Sequence, residues 1–242
     1  HEGVATGTII HHGLKDWNFD VGLDMDNMKV METTINDNQL YYGKAYAKGR
    51  LGLSGYADNI FIDVDAATGP GTDIHFPLGA SRDVSGISFV RFAEVGKSAS
   101  EEQTAVDLSG IQLNMKVAVT PDADFELIFD PTVGDIMRGR GTGDITMGVT
   151  PAGDFSMKGD VTLTEGDYLF TLRNLVNKKF GVEPGGRISW FGDPFDALIN
   201  IDAVYKLRAS LYDVMPAALR TEAYKKRVPV EVLMHLSQRL MN

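Results

Sequence analysis

The amino-acid sequence predicts an all-β protein, an elongated antiparallel meander folded over on itself into an open-barrel β-groove with an apolar interior. Three observations carry that expectation. Apolar residues recur with a period of two, turn chemistry interrupts them about every ten positions, and one alternating run is far longer than an ordinary strand.

The long run is Ala197, Ile199, Ile201, Ala203, Tyr205, Leu207, Ala209 and Leu211, alternating with a mostly polar set that includes Asn200, Asp202, Lys206 and Arg208. A strand over 197–211 spans about 50 Å at ~3.3 Å per residue, where strands of about 5–6 residues are usual. That is too long for a small sandwich and suits an elongated sheet with one apolar face. Ile111, Leu113, Met115, Val117 and Val119 form a second clear alternation, and shorter ones follow at Val21-Leu23-Met25, Ile60-Ile62-Val64, Phe125-Leu127-Phe129, Ile145-Met147-Val149, Phe155-Met157 and Val161-Leu163. Between them lie turn words such as Asn36-Asp37-Asn38, Thr120-Pro121-Asp122, Glu165-Gly166-Asp167 and Glu183-Pro184-Gly185-Gly186. The 26 glycines in 242 residues, roughly 11% against an ordinary ~7%, read as turns and bends of a curved sheet.

Two other features are expected to shape the chain. Val119-Thr120-Pro121-Asp122-Ala123-Asp124-Phe125 recurs as Val149-Thr150-Pro151-Ala152-Gly153-Asp154-Phe155, each copy flanked by alternating strands, which reads as repeated hairpins. Pro216–Lys226 is the one helical candidate, with Pro at its start and Glu222 four residues before Lys226, and it reads equally well as a surface turn or a disordered stretch. The polar stretch around Ser98-Ala99-Ser100-Glu101-Glu102-Gln103 reads as a flexible insertion over 80–105 within a single elongated domain, 1–242.

Composition excludes several function classes. Acidic residues outnumber basic ones 33 to 23, a formal charge of −10, which argues against nucleic acid as a partner. With no cysteine there is no disulfide, no thiolate metal site and no Cys nucleophile. No run of 18 apolar residues exists to span a membrane as a helix. The start at His1-Glu2-Gly3-Val4, without Met, reads as a piece of a longer chain.

Catalytic and cofactor motifs fail one by one. Gly96-Lys97-Ser98 lacks the opening glycine of a phosphate loop, and Gly139-x-Gly141-x-Gly143 leads into a strand instead of a helix. His11 and His12 are adjacent in a strand and point to opposite faces, so they cannot share a metal. Asp24/Asp26, Asp63/Asp65 and Asp122/Asp124 have the same-face spacing of glycosidase carboxylates, but any solvated strand face has it too. No catalytic residue, metal or cofactor is expected.

The remaining signal is the apolar strand faces. Their plain reading is a core. Yet a long meander without helices to cover it must fold over on itself, and that encloses a groove. The expected groove-lining residues are Ile111, Leu113, Met115 and Val117, then Phe125 and Leu127, then Ile145 and Met147. Further along they are Phe155, Met157, Tyr168 and Phe170, then Ile188 and Trp190, and finally Ile199, Ile201 and Tyr205.

Spaced words in the C-terminal half carry a family resemblance: Gly166-Asp167-Tyr168-Leu169-Phe170, Lys179-Phe180-Gly181-Val182, Gly186-Arg187-Ile188-Ser189-Trp190-Phe191-Gly192-Asp193-Pro194, then Ala197 through Tyr205. In this order they resemble the C-terminal region of the TamB family, of the translocation and assembly module in Gram-negative envelopes. Trp17-Asn18-Phe19-Asp20 and Gly55-Tyr56-Ala57-Asp58-Asn59-Ile60 are similar to the Bacteroidetes version. The resemblance implies an AsmA-like periplasmic protein with a taco-shaped sheet, anchored in the inner membrane by an N-terminal helix absent from this chain. It implies phospholipid acyl chains in the groove and an outer-membrane BamA-family β-barrel, TamA-like, as partner. The function expected from it is non-catalytic lipid conduction between the two membranes. A periplasmic scaffold or chaperone for assembly of outer-membrane β-barrels or secretion of autotransporters is the alternative.

Overall fold

The computed structural model describes residues 2–37, 41–77, 110–130, 134–172, 176–193, 196–212 and 214–239. The expected insertion at 80–105 and Gly96-Lys97-Ser98 lie outside the described residues. In chain order the strands are β1 (Glu2–His12), β2 (Lys15–Thr33), β3 (Tyr42–Tyr56), β4 (Asn59–Thr68), β5 (Asp73–Pro77), β6 (Ile111–Val119) and β7 (Asp124–Asp130). They continue as β8 (Asp135–Val149), β9 (Phe155–Leu172), β10 (Val176–Val182), β11 (Arg187–Gly192), β12 (Ala197–Ala209) and β13 (Val228–Arg239).

All thirteen strands join one sheet. Three of its rungs are broken strands. β4 and β5 lie end to end along β3, β6 and β7 end to end along β8, and β10 and β11 end to end along β9. Neighbouring rungs are antiparallel with one exception: β4 runs parallel to β6 and β5 parallel to β7. The sheet is therefore mixed.

The breaks follow a rule. Residues 69–72, 120–123 and 183–186 each interpose four residues, an even number, so the strand beyond the break keeps the facing of the strand before it. The first two breaks sit side by side and are tied together. The Thr120 amide donates to the Thr68 hydroxyl and the Asp124 amide to the Thr72 carbonyl, both at 2.9 Å. Thr72 is 1% exposed. Its hydroxyl donates to the Gly69 carbonyl at 2.7 Å and accepts from the Tyr46 amide at 3.0 Å, which holds the break against β3.

The repeated heptapeptide makes two different structures. Both copies form the same turn, with the Ala123 amide donating to the Thr120 carbonyl at 3.2 Å and the Gly153 amide to the Thr150 carbonyl at 2.8 Å. In the second copy Gly153 adopts φ +88, a conformation open to glycine, and the chain reverses into the β8–β9 hairpin. Ala123 occupies the equivalent place in the first copy and the chain continues in its original direction as β7. The copies differ at two positions, Asp122/Ala152 and Ala123/Gly153, and the expectation of two repeated hairpins holds only for the second copy.

Of the readings open for Pro216–Lys226, the structure takes the turn. Pro216–Lys226 contains two short 3-10 turns, Ala217–Leu219 and Glu222–Lys225, and no α-helix. Arg220 and Thr221 between them are extended, at ψ 119 and 159, so the pattern cannot propagate. The long C-terminal run forms β12, which stops at Ala209. There the Ser210 hydroxyl donates to the Tyr224 carbonyl at 2.9 Å and turns the chain.

The tightest strand approach is between β8 and β9. A Cβ at Gly159, whose φ is +129, would fall 2.0 Å from the Asp144 carbonyl oxygen. Gly159→Ala is expected to cost about 2–3 kcal/mol by denaturant unfolding. Gly148→Ala, whose Cβ would meet the Leu113 carbonyl at an ordinary 3.5 Å, should stay within about 0.5 kcal/mol of the parent.

Candidate functional site

Residues paired across neighbouring strands share a face, so the register sorts every strand into two sets. One set is apolar across most of the sheet. A single row reads Ala5, Leu23, Leu51, Val64, Met115, Met147 and Met157 over seven rungs. The next row reads Gly7, Val21, Leu53, Ile62, Leu113, Val149 and Phe155. Further along, Phe76, Leu127, Met137, Tyr168 and Phe180 continue the same face.

β9 would switch faces partway along if it were regular. Its apolar residues are odd-numbered through Leu163 and even-numbered from Gly166. A bulge opposite Arg140/Gly141 inserts one residue and keeps both sets on the same side. By this register all the sequence-expected residues fall on one face: Ile111, Leu113, Met115, Val117, Phe125, Leu127, Ile145, Met147, Phe155, Met157, Tyr168, Phe170, Ile188, Trp190, Ile199, Ile201 and Tyr205.

They are not equally accessible. Leu127, Ile145, Tyr168, Ile188, Ile199 and Ile201 are buried, and most of them join a core with Met137, Leu163, Phe180, Val182, Ala197 and Ala203. Phe76, Phe125, Phe129, Phe170, Trp190, Tyr205, Met234 and Leu236 pack around it. The aromatic part is a ladder of tilted and edge-on rings, with Phe129–Tyr168 centroids at 5.8 Å, Phe170–Phe180 at 6.5 Å and Phe180–Tyr205 at 5.5 Å. Over β2, β3, β4 and β6 the same face is only half-buried: Val21, Leu23, Leu51, Leu53, Ile62, Val64, Leu113 and Met115 keep part of their surface in solvent. The C-terminal rungs thus fill their own face, and the N-terminal rungs leave theirs partly open. The residues of β2–β4 complete the face and were absent from the expected groove lining, although Val21-Leu23-Met25 and Ile60-Ile62-Val64 carry the alternation in plain view. Val228, Val230, Val232, Met234 and Leu236 of β13 also belong to it, through pairing with β12.

The opposite face is a lattice of cross-strand ion pairs. Arg50 meets Asp24 at 2.9 Å, Lys48 meets Asp26 at 3.2 Å, Arg140 meets Asp124 at 2.6 Å and Lys206 meets Glu231 at 3.4 Å. Asp63 accepts from Asn114 at 3.2 Å. Asp24, Asp26, Asp63 and Asp124 of the same-face carboxylates are therefore engaged with neighbouring strands, the arrangement of a solvated sheet face. A shallow cleft of about 330 Å³ lies on this side at the tied breaks, lined by Gly71, Thr72, Asp73, His75, Asp124, Phe125, Glu126 and Arg138. The buried Glu126 carboxylate meets Arg138 at 2.6 Å, which raises the guanidinium pKa, and His75 stacks on Tyr42 at 4.8 Å.

Tyr168 is the one titratable member of the apolar core. Burial first, and then a hydrogen bond with Asp135, raise its phenol pKa well above the ordinary value. A raised pKa favours the neutral phenol in the fold, so its contribution is present below the unfolded value near 10 and is lost as pH climbs further. Tyr168→Phe is expected to flatten the alkaline fall in stability above about pH 10 in pH-resolved unfolding curves. Ile201→Ala, at a site 1% exposed, should cost about 2–4 kcal/mol, whereas Leu53→Ala on the open half should cost about 1 kcal/mol.

The protein is all-β, with a single sheet that carries one largely apolar and one ion-paired face. The family follows from the whole length. The model of the TamB C-terminal domain matches residues 1–242, and the chain belongs to that family. No curated protein matches it. TamB is a component of the translocation and assembly module, is periplasmic and envelope-associated, and works with TamA, a barrel of the BamA family. Among the described residues no helix is long and apolar enough to cross a membrane.

Proposed function

We propose that this chain is a segment of a non-catalytic lipid conduit, binding phospholipid acyl chains along the apolar face for transport between the inner and outer membranes. The observation that carries the reading is the continuity of that face. Rows of Leu, Val, Ile and Met run over seven rungs without a charged side chain, and the rows over β2–β6 are only half-buried. Each methylene moved from water onto such a surface gains about 0.8 kcal/mol, so an acyl chain needs no directional contact to be held. Met115, Met147 and Met157 stand side by side in one row and adapt to chains of varied shape. The polar face keeps the sheet soluble in the periplasm. In this reading the complete protein is AsmA-like, is held in the inner membrane by an N-terminal helix, and hands lipid on beside its TamA-like barrel.

Photo-crosslinking amino acids at Leu53 and Leu113 are expected to label phospholipid in cells, and one at Asn114, on the polar face and bonded to Asp63, should not. Equal labelling at all three positions, or none, would sink the conduit reading.

A scaffold for outer-membrane proteins is the second reading, favoured by the sheet edges. β1 pairs only with β2 and β13 only with β12 among the described residues, so both leave a backbone edge that another strand can extend. Crosslinks from β13 to a barrel strand, without lipid labelling at Leu53, would favour it.

A further inference from the structure

Beyond β2, one described strand cation lies on the apolar face. Among the described residues of β3 through β13, register places Lys178 on that face opposite Phe170, and no other Lys, Arg or His shares it. Several other strand cations, all on the polar face, are ion-paired. Lys179, its immediate neighbour, points to the polar face and meets Asp167 at 3.1 Å, and Lys44, Lys48, Arg50, Arg138 and Lys206 likewise have carboxylate partners there. Lys178 makes no ion pair with a described residue; its ammonium lies 5.3 Å from the centroid of the Tyr205 ring.

The position suits a charge at the border of an oily surface. Lys178 is exposed near the start of β10, and its register partner Phe170 and the nearby Tyr205 are half-buried aromatic rings. An ammonium over a ring keeps its remaining donors free, and its flexible stem lets it follow a ligand. Asp135, the nearby carboxylate on this face, hydrogen-bonds with Tyr168.

We propose that Lys178 anchors the phosphate of a phospholipid whose acyl chains lie over the adjoining aromatic rings, so that this end of the face selects amphiphiles with an anionic head. The inference rests on the acyl-binding reading above and adds a headgroup contact to it.

The test compares binding of two single-chain amphiphiles to the purified chain, lysophosphatidylglycerol and a monoacylglycerol of the same acyl length, each below its micelle threshold. Lys178→Gln should weaken lysophosphatidylglycerol by about tenfold, Lys178→Arg should restore most of it, and monoacylglycerol should bind all three alike. Circular dichroism of the exposed-site variants should match the parent. If Lys178→Gln weakens both amphiphiles equally, or neither, the anchor is overturned while acyl binding stands. If the parent chain binds neither, the acyl reading fails and the anchor with it. Displacement of lysophosphatidylglycerol by inorganic phosphate at like concentration would also overturn the proposal, since it would mark a free-phosphate site.

Discussion

The structure depends on keeping one facing through every interruption of the sheet. A strand alternates its side chains, and one residue gained or lost moves the whole apolar set into water. The three in-line breaks each insert four residues and so preserve facing. The bulge in β9 does the opposite job, adding one residue where the sequence itself changes parity between Leu163 and Gly166. Both devices serve one end, keeping the apolar set on one side of the sheet.

The paired breaks show how a parallel step is accommodated. β4 and β6 run side by side, and so do β5 and β7, so their breaks must fall level or the ladder beyond them would lose register. Thr68, Thr72 and Thr120 lock the two breaks together through backbone and hydroxyl hydrogen bonds, with Thr72 fully enclosed. Buried hydroxyls are tolerated here because each finds partners. The cleft that opens beside this lock is filled by charge pairing across β5, β7 and β8, and it belongs to the polar face.

Much of the candidate site is legible in sequence. Ile111 through Val117 and Ile199 through Tyr205 show their facing by alternation alone, and the register puts both runs on the same side of the sheet. Legibility failed where facing depends on a neighbour. Leu51 and Leu53 sit in a segment rich in glycine, and their pairing with Val64 and Ile62 of β4 ties them to the face. The two Thr-Pro heptapeptides look equivalent, yet they differ at Asp122/Ala152 and Ala123/Gly153, and only the second forms a hairpin.

By itself the sequence determined the period, the apolar set, the absence of cysteine chemistry and the all-β class, since these follow from residue type and spacing within a strand. It also carried the family words. Only the tertiary structure decided that β4–β6 and β5–β7 are parallel, that Pro216–Lys226 stays short of a helix, and that Ile199 and Ile201 are enclosed while Leu53 and Leu113 remain part-open. The physical reason is range. Alternation is a property of one strand read alone, whereas direction, enclosure and the solitary position of Lys178 are set by which strands lie beside it, through hydrogen bonds and packing between residues far apart in the chain.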